Sequence, residues 1–235
     1  METGESGKVA VITGATGGIG TAVSKALSTA GYSLVLTAPS MEKLSALATE
    51  LKGPCTVVAG NLREESIPET LLEAALDRFG RCDVCFNNGG LLEDGLIETI
   101  DIERMCNMVR VNVEGAFRVA YVFLKHFVSE EHGHLVNISS GVGKKVRATA
   151  YAATQSAIEM LSDALSREVS GTDVQVSCIQ PGLVKKGLHD RWEVTPDKGA
   201  DDQLEPEDIA RMVLFILEQP QAVAVPPENH AGENA

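Results

Sequence analysis

The distribution of apolar residues along the chain predicts alternating strands and helices. Short runs rich in apolar and β-branched residues are separated by longer stretches in which apolar residues recur at helical spacing. The predicted strands cover residues 8–13, 33–38, 56–59, 83–87, 133–139 and 174–180. The predicted helices cover residues 21–27, 41–51, 68–79, 101–127, 152–169 and 206–217. Such alternation predicts an α/β fold in which one parallel, doubly wound sheet carries helices on both faces.

The length of the chain, 235 residues, fits a single domain with a core large enough to be stable by itself. We expect residues 1–225 to form this domain and residues 226–235 to form a flexible tail. Residues 183–203 show no clear periodicity, which is typical either of a lid over a substrate pocket or of a mobile surface loop. Trp192, within this stretch, is interpreted either as a substrate-stacking residue or as the anchor of the loop.

The formal net charge of −13 argues against a nucleic acid or an anionic membrane as partner, because both require basic patches. The chain contains no run of 18 apolar residues, and residues 1–7 lack the basic and apolar regions of a signal peptide. We therefore expect a soluble, cytoplasmic protein.

The five cysteines follow neither a disulfide framework nor a zinc-binding spacing. Cys82 and Cys85 form a C-x-x-C pair, but they open a predicted strand, on which side chains three positions apart point to opposite faces. We expect core and surface thiols, and no metal site.

The first strand is followed by a turn that contains Gly14, Gly18 and Gly20, and then by a helix. Glycines let the backbone of such a turn approach a pyrophosphate closely, and the helix N-terminus supplies unpaired N–H groups and a partial positive charge. Because the turn opens an alternating α/β chain, it predicts a dinucleotide site at the carboxyl ends of the strands.

Six short motifs follow one another along the chain. They are Thr13-Gly-x-x-x-Gly-Ile-Gly20, Asn87-Asn88-x-Gly90, Val111-Asn112-x-x-Gly115, Asn137-Ile-Ser-Ser140, Tyr151 and Pro181-Gly182. In their order and approximate spacing, over about residues 7–220, these motifs resemble those of the short-chain dehydrogenase/reductase family, which implies a Rossmann-type fold and an NAD(P) cofactor. The cofactor-binding residues that the resemblance implies are Gly14, Thr16, Gly18, Ile19, Gly20, Thr37, Asn61, Leu62, Asn88, Gly90, Gln155, Pro181, Gly182 and Val184.

The same resemblance implies an active site built on a tyrosine. Tyr151 would be the general acid or base, Ser140 would bind the carbonyl oxygen, and Asn112 would hold a water that relays protons. Hydroxyl donors aimed at an oxygen that develops negative charge lower the barrier to hydride transfer. Ser139 remains an alternative to Ser140, because the stretch before Tyr151 is shorter than is typical of the family.

Gln155 stands where the resemblance places an active-site lysine, so the chain resembles a divergent member of the family. A glutamine amide can still bond to a ribose hydroxyl, but it carries no charge. A unit charge about 4 Å from a phenolate is worth up to roughly 4 kcal/mol, so Tyr151 could be up to about 3 pKa units less acidic. This departure favours reduction over alcohol oxidation. A loop lysine, Lys186 or else Lys144 or Lys145, could replace the charge, although a solvated surface lysine is the plainer interpretation.

Residues 37–40, at the end of the second strand, contain no carboxylate that would repel a 2′-phosphate. Thr37 and Ser40 have hydroxyls that can donate to one, so we favour NADP(H) over NAD(H) as the cofactor. Asn61 replaces the family's usual aspartate, and its amide can still pair with an adenine ring.

The leading hypothesis is an NAD(P)H-dependent oxidoreductase, working in the reductive direction on a carbonyl of a small organic molecule. The alternatives are a non-redox isomerase, dehydratase or cyclase on the same scaffold, and a catalytically inactive nucleotide-binding protein. Because members of the family commonly assemble through their two long helices, we expect a homo-dimer or homo-tetramer formed by helices 101–127 and 152–169.

Overall fold

The computed structural model describes residues 7–140, 148–185 and 203–219. Its centre is one parallel sheet with the strand order β3-β2-β1-β4-β5-β6. The strands are β1 (Val9–Thr13), β2 (Ser33–Ala38), β3 (Cys55–Ala59), β4 (Val84–Asn87), β5 (Gly133–Ile138) and β6 (Val174–Ile179). This order confirms the doubly wound α/β prediction. It reverses direction between β1 and β4, where ligands of such sheets bind.

Seven α-helices connect or follow the strands in the described residues. They are α1 (Gly18–Thr29), α2 (Met41–Thr49), α3 (Ile67–Phe79), α4 (Ile102–Val109), α5 (Ala116–Ser129), α6 (Thr149–Glu168) and α7 (Pro206–Glu218). The single long helix predicted over residues 101–127 is instead α4 and α5 joined by a π-helical segment, Arg110–Gly115. A Cβ atom on Gly115 would lie 2.4 Å from the carbonyl oxygen of Leu62, so this close approach of the chain after β3 requires a glycine.

The core consists of two apolar layers, one on each face of the sheet. Alternate residues of a strand point to opposite faces, so neighbouring residues such as Val11 and Ile12 serve different layers. The first layer packs the sheet against α3, α5 and α6, with Phe123 and Phe127 fully buried. The second layer packs it against α1, α2 and α7. Both layers leave the carboxyl ends of the strands open, which is where the site forms.

The prediction that the Cys82 and Cys85 side chains point apart is wrong. Both thiols belong to the same apolar layer, because β4 begins only at Val84 and Cys82 precedes the regular strand. Burial raises the pKa of both thiols, which keeps them protonated. All five cysteines are free, and the described residues contain no group of metal-ligating side chains.

In the described ranges, no helix combines the length and the apolar character that crossing a bilayer requires. Trp192, Lys186, Lys144 and Lys145 lie outside the described residues, as do most of segment 183–203 and the segment 226–235.

Candidate active site

A cleft of about 450 Å³ opens at the carboxyl ends of the central strands. One end of it is lined by the glycine turn, residues 14–20, and by Ala38 and Pro39 after β2. The other end is lined by residues that follow β4, β5 and β6 and by the first turns of α6. The cleft brings together most of the site residues that the sequence predicts: Gly14, Thr16, Gly18, Ile19, Gly20, Asn88, Gly90, Asn112, Ser140, Tyr151, Gln155, Pro181, Gly182 and Val184.

The glycine turn has the shape that a pyrophosphate needs. Gly14 has a φ of +63°, and a Cβ atom on it would lie 2.8 Å from the Cα atom of Gly89. A Cβ atom on Gly20 would lie 2.2 Å from the carbonyl oxygen of Gly14. Gly17, the N-cap of α1, makes no side-chain cap, so the N–H groups of the first turn remain available to an anion. The turn therefore fits a dinucleotide.

Asn88 holds this turn against the end of β4. Its Nδ2 donates to the carbonyl oxygens of Thr13 at 2.9 Å and of Gly14 at 3.2 Å. The Thr13 hydroxyl in turn accepts from the backbone N–H groups of Asn88 and Gly89, at 2.9 and 2.8 Å. Asn88 thus lines the cleft, and its side-chain amide holds the glycine turn in place.

The structure does not bring Thr37, Asn61 or Leu62 to the wall of the cleft. Thr37 is only 2% exposed, because alternation along β2 turns it to the same face as the buried Val35. Its hydroxyl has no hydrogen-bond partner in the described part of the chain. Leu62 packs into the first apolar layer. Asn61 is half-buried, and its Oδ1 accepts from the backbone N–H of Arg63 at 3.1 Å.

The hydroxyls of Tyr151 and Ser140 are hydrogen-bonded to each other in the wall of the cleft. Both residues are buried, Tyr151 to 5% exposure. The neighbouring Ser139 is directed elsewhere, since its Oγ donates to Oε1 of Glu159 at 3.0 Å. Of the two serines that the sequence left open, the structure therefore pairs Ser140 with the tyrosine.

Burial raises the pKa of the Tyr151 phenol above its ordinary value of 10, and the hydrogen bond from Ser140 offsets part of this increase. Gln155 lies one turn further along α6 and is also buried. Its Nε2 donates to the Thr154 hydroxyl at 3.3 Å. None of the described residues that line the cleft is a lysine or an arginine.

Asn112, in the π-helical segment, connects three parts of the site. Its Oδ1 accepts from the backbone N–H of Leu91 at 2.7 Å, and its Nδ2 donates to the Leu91 carbonyl at 2.8 Å. The same Nδ2 donates to the Thr154 hydroxyl at 3.1 Å, and that hydroxyl donates to the Tyr151 carbonyl at 2.7 Å. Both N–H bonds of the Asn112 side chain are therefore used to fix the loop after β4 and the helix that carries Tyr151.

Sequence reasoning missed Leu91, Glu93, Thr154 and Glu159. Thr154 could have been found, because it lies three residues after Tyr151 and so one helical turn away. Glu159 lies on α6 one turn beyond Gln155, but its contact with Ser139 depends on the packing of α6 against β5. No local pattern marks Leu91 or Glu93.

Comparison with known proteins agrees with this geometry. Residues 8–196 match the model of the short chain dehydrogenase family. An uncharacterized oxidoreductase of Staphylococcus epidermidis is 33% identical over 220 residues, which cover 93% of this chain and 94% of the relative.

Two solved structures share both the fold and part of the sequence. An alcohol dehydrogenase from the archaeon Thermococcus sibiricus, complexed with 5-hydroxy-NADP, has a TM-score of 0.81 at 30% identity over 93% of both chains. A 3-ketoacyl-(acyl-carrier-protein) reductase from Brucella melitensis, complexed with NADH, has a TM-score of 0.84 at 27% identity, over 92% of this chain and 93% of that one. Together with the glycine turn and the tyrosine–serine pair, these matches show that the chain belongs to the short-chain dehydrogenase family of oxidoreductases.

Proposed function

We propose that the protein is an NADPH-dependent reductase that acts on a carbonyl group of a small organic molecule. The observation that carries the proposal is the buried Tyr151 hydroxyl, hydrogen-bonded to Ser140 and with a pKa raised by burial. A phenol of this kind stays protonated at neutral pH, so it can donate a proton but rarely accept one. Reduction requires a donor at this position, whereas alcohol oxidation requires a base.

The glycine turn would hold the pyrophosphate of the cofactor, and Gln155, Pro181, Gly182 and Val184 would line its reacting end. When bound, the cofactor supplies a hydride to the carbonyl carbon of the substrate. The Gln155 amide would bond to a ribose hydroxyl.

The preference for NADPH over NADH is supported by the residues around the end of β2. Ala38 and Pro39 line the cleft there and carry no charge. Ser40 caps α2 by accepting from the backbone N–H of Lys43 at 3.3 Å, which leaves its hydroxyl hydrogen free to donate to a 2′-phosphate. The relatives bind either type of cofactor, since the Thermococcus enzyme holds an NADP derivative and the Brucella enzyme holds NADH.

In the reaction, the hydroxyls of Ser140 and Tyr151 donate to the carbonyl oxygen, and Tyr151 gives up its proton as that oxygen becomes negative. The phenolate that remains is buried beside a neutral glutamine, so proton return to it is favourable. Asn112 contributes mainly by position, because it fixes the Tyr151 helix through Thr154. If it also holds a relay water, it must use its remaining Oδ1 lone pair or its backbone carbonyl, because both side-chain N–H bonds are engaged.

The proposal is tested by calorimetric titration with NADPH and NADH, followed by single-turnover oxidation of bound NADPH against a panel of aldehydes and ketones. We expect NADPH to bind more tightly and at least one carbonyl compound to be reduced. In Tyr151→Phe, which keeps the ring and loses the proton, we expect the single-turnover rate to fall by about 10²- to 10⁴-fold. Its affinity for NADPH should remain within about twofold of the original.

The other possible results of these two measurements bear on the alternative functions. Binding of NADPH without reduction of any compound would favour non-redox isomerase, dehydratase or cyclase chemistry at the same tyrosine. Failure to bind either nucleotide would contradict both the proposal and the inactive nucleotide-binding alternative, and would leave a folded scaffold with a different role.

A further inference from the structure

The part of the cleft wall that follows β4 contains two apolar side chains, Leu91 and Leu92, near Tyr151. Tyr151 packs with Met108 and Ala148, and Leu92 and Met105 pack against this cluster from the loop after β4 and from α4. A substrate whose carbonyl reaches the Tyr151 hydroxyl can therefore place apolar atoms against Leu91 and Leu92.

One carboxylate interrupts this wall. Glu93 is the only residue with a formal charge among the described residues that line the cleft. Its side chain is 20% exposed, and its backbone N–H donates to the sulfur of Met108 at 3.2 Å. The hydrogen bond holds the backbone of Glu93 against the apolar cluster.

The charge of Glu93 is compensated from outside the cleft. Nη2 of Arg104 lies 2.7 Å from Oε2 of Glu93, but the Arg104 side chain is 68% exposed and is not part of the cleft wall. No described residue donates a hydrogen bond to Oε1 of Glu93. Glu93 thus lines the cleft as an acidic residue, while its cationic partner lies mostly in solvent. An exposed arginine on the far side screens this charge only partly.

We propose that Glu93 determines substrate specificity by selecting carbonyl compounds that carry an ammonium group, separated from the carbonyl by an apolar spacer. The spacer would lie against Leu91 and Leu92, and the ammonium group would donate to the carboxylate of Glu93. A substrate with a carboxylate in place of the ammonium group would be repelled by the negative charge of Glu93, because the cleft wall is partly desolvated. This inference names the substrate class of the proposed reductase and therefore rests on that function.

The experiment compares three acetophenones that differ only in the para substituent, which is ethyl, aminomethyl or carboxylate. For each compound, kcat/KM with NADPH is measured, and Kd is measured separately by calorimetry on the protein with NADP⁺. We expect the aminomethyl compound to be preferred over the ethyl compound, and the carboxylate to be the poorest of the three.

Two variants each remove the charge of one member of the Glu93–Arg104 ion pair. In Glu93→Gln, the value of kcat/KM for the aminomethyl compound relative to the ethyl compound should fall about tenfold. The same ratio calculated from 1/Kd should fall by the same factor. In Arg104→Gln the same ratio should rise, because the carboxylate loses its compensating cation. Glu98→Gln is the matched control, since Glu98 is exposed in the same loop, does not line the cleft and carries the same charge. Its ratio should not change.

The inference is overturned if Glu93→Gln leaves the ratio unchanged, if Glu98→Gln lowers it equally, or if the carboxylate compound is preferred. If no compound is reduced but the binding ratios follow the expected pattern, the reductase proposal fails and the specificity of the cleft stands. If none of the three ketones binds, the inference is overturned as well.

Discussion

At the scale of single residues, the chemistry of the site depends on Tyr151. Among the described residues that line the cleft around it, none is a lysine or an arginine. Tyr151 is buried and bonded to Ser140, and Gln155 occupies the next helical turn. A buried phenol of raised pKa is a proton donor, and it becomes a base only if a positive charge stabilises its ionised form. We therefore expect the residue at position 155 to influence whether the proposed reductase can also oxidise alcohols.

The substitution Gln155→Lys should lower the pKa of Tyr151, because an ammonium about 4 Å away favours the phenolate. We expect alcohol oxidation at pH 8 to increase at least tenfold, and the pH at which the oxidation rate reaches half its maximum to decrease by about 1 to 3 units. Gln155→Met, uncharged and of similar length, is the control for packing. The pH dependence of oxidation, measured for all three proteins, checks the prediction. An unchanged midpoint in Gln155→Lys would contradict it.

Thr37 is the residue for which sequence and structure suggest different roles. Its hydroxyl is buried and has no partner among the described residues, and such a group destabilises the folded state by about 1 to 3 kcal/mol. Thr37→Val keeps the shape and removes the hydroxyl, so it should raise the free energy of unfolding by about 1 kcal/mol. Urea denaturation of the apoprotein measures this change.

The same variant separates two accounts of cofactor choice. If Thr37 stays in the interior, Thr37→Val leaves the ratio of NADPH to NADH affinity unchanged. Ser40→Ala, which removes the half-buried hydroxyl that caps α2, should then lower the affinity for NADPH by about tenfold with little effect on NADH. A loss of NADPH affinity in Thr37→Val would show instead that the hydroxyl turns outward to the phosphate.

At the scale of secondary structure, the last two strands contain a buried titratable group that the proposed chemistry does not use. His134 on β5 shares a hydrogen bond of 2.9 Å with the hydroxyl of Ser177 on β6. Desolvation by burial lowers the pKa of this imidazole from 6.5 to about 4. The native state therefore holds His134 in its neutral form at physiological pH.

This burial makes the strand pair sensitive to acid. Between about pH 6.5 and about pH 4 the unfolded chain binds a proton at His134 and the native state does not, so stability falls as the pH is lowered. The loss should reach ~3 kcal/mol at pH 4, and below that pH it should not grow further. In His134→Gln, the free energy of unfolding should fall less between pH 7 and pH 4.5 than in the unsubstituted protein, by about 2 kcal/mol. Equal pH dependence in both proteins would contradict the prediction.

At the scale of the whole molecule, we propose that the expected homo-dimer or homo-tetramer forms through the exposed faces of α4, α5 and α6. Tyr121 and Val128 lie two turns apart on α5 and are 47% and 50% exposed. Met160 on α6 is 67% exposed, and the exposed residues one and two turns before it, Ser156 and Ala153, are small. Apolar side chains beside small residues allow helices of two copies to pack closely.

A charge placed on this surface should separate the copies. We expect Met160→Glu to shift the protein to monomers in sedimentation analysis at micromolar concentration, because two carboxylates would face each other across a two-fold axis. Met212→Glu, on the exposed side of α7, is the control, since Met212 is 45% exposed and lies outside the proposed interface. Monomers formed by Met212→Glu alone would contradict the assignment of the interface.

The sequence by itself determined the order of strands and helices, the parallel sheet and the position of the glycine turn. These features depend on local patterns, since apolar periodicity sets the type of element and glycine spacing sets the turn. The pairing of Ser140 rather than Ser139 with Tyr151, the burial of Thr37 and the link from Asn112 to Thr154 were decided only by the tertiary structure. Each of them depends on which face of an element is buried, or on contacts between residues as far apart as the 42 positions that separate Asn112 from Thr154. Glu93 illustrates the same limit, because only the tertiary structure brings this loop residue to the lining of the cleft and pairs it with the exposed Arg104.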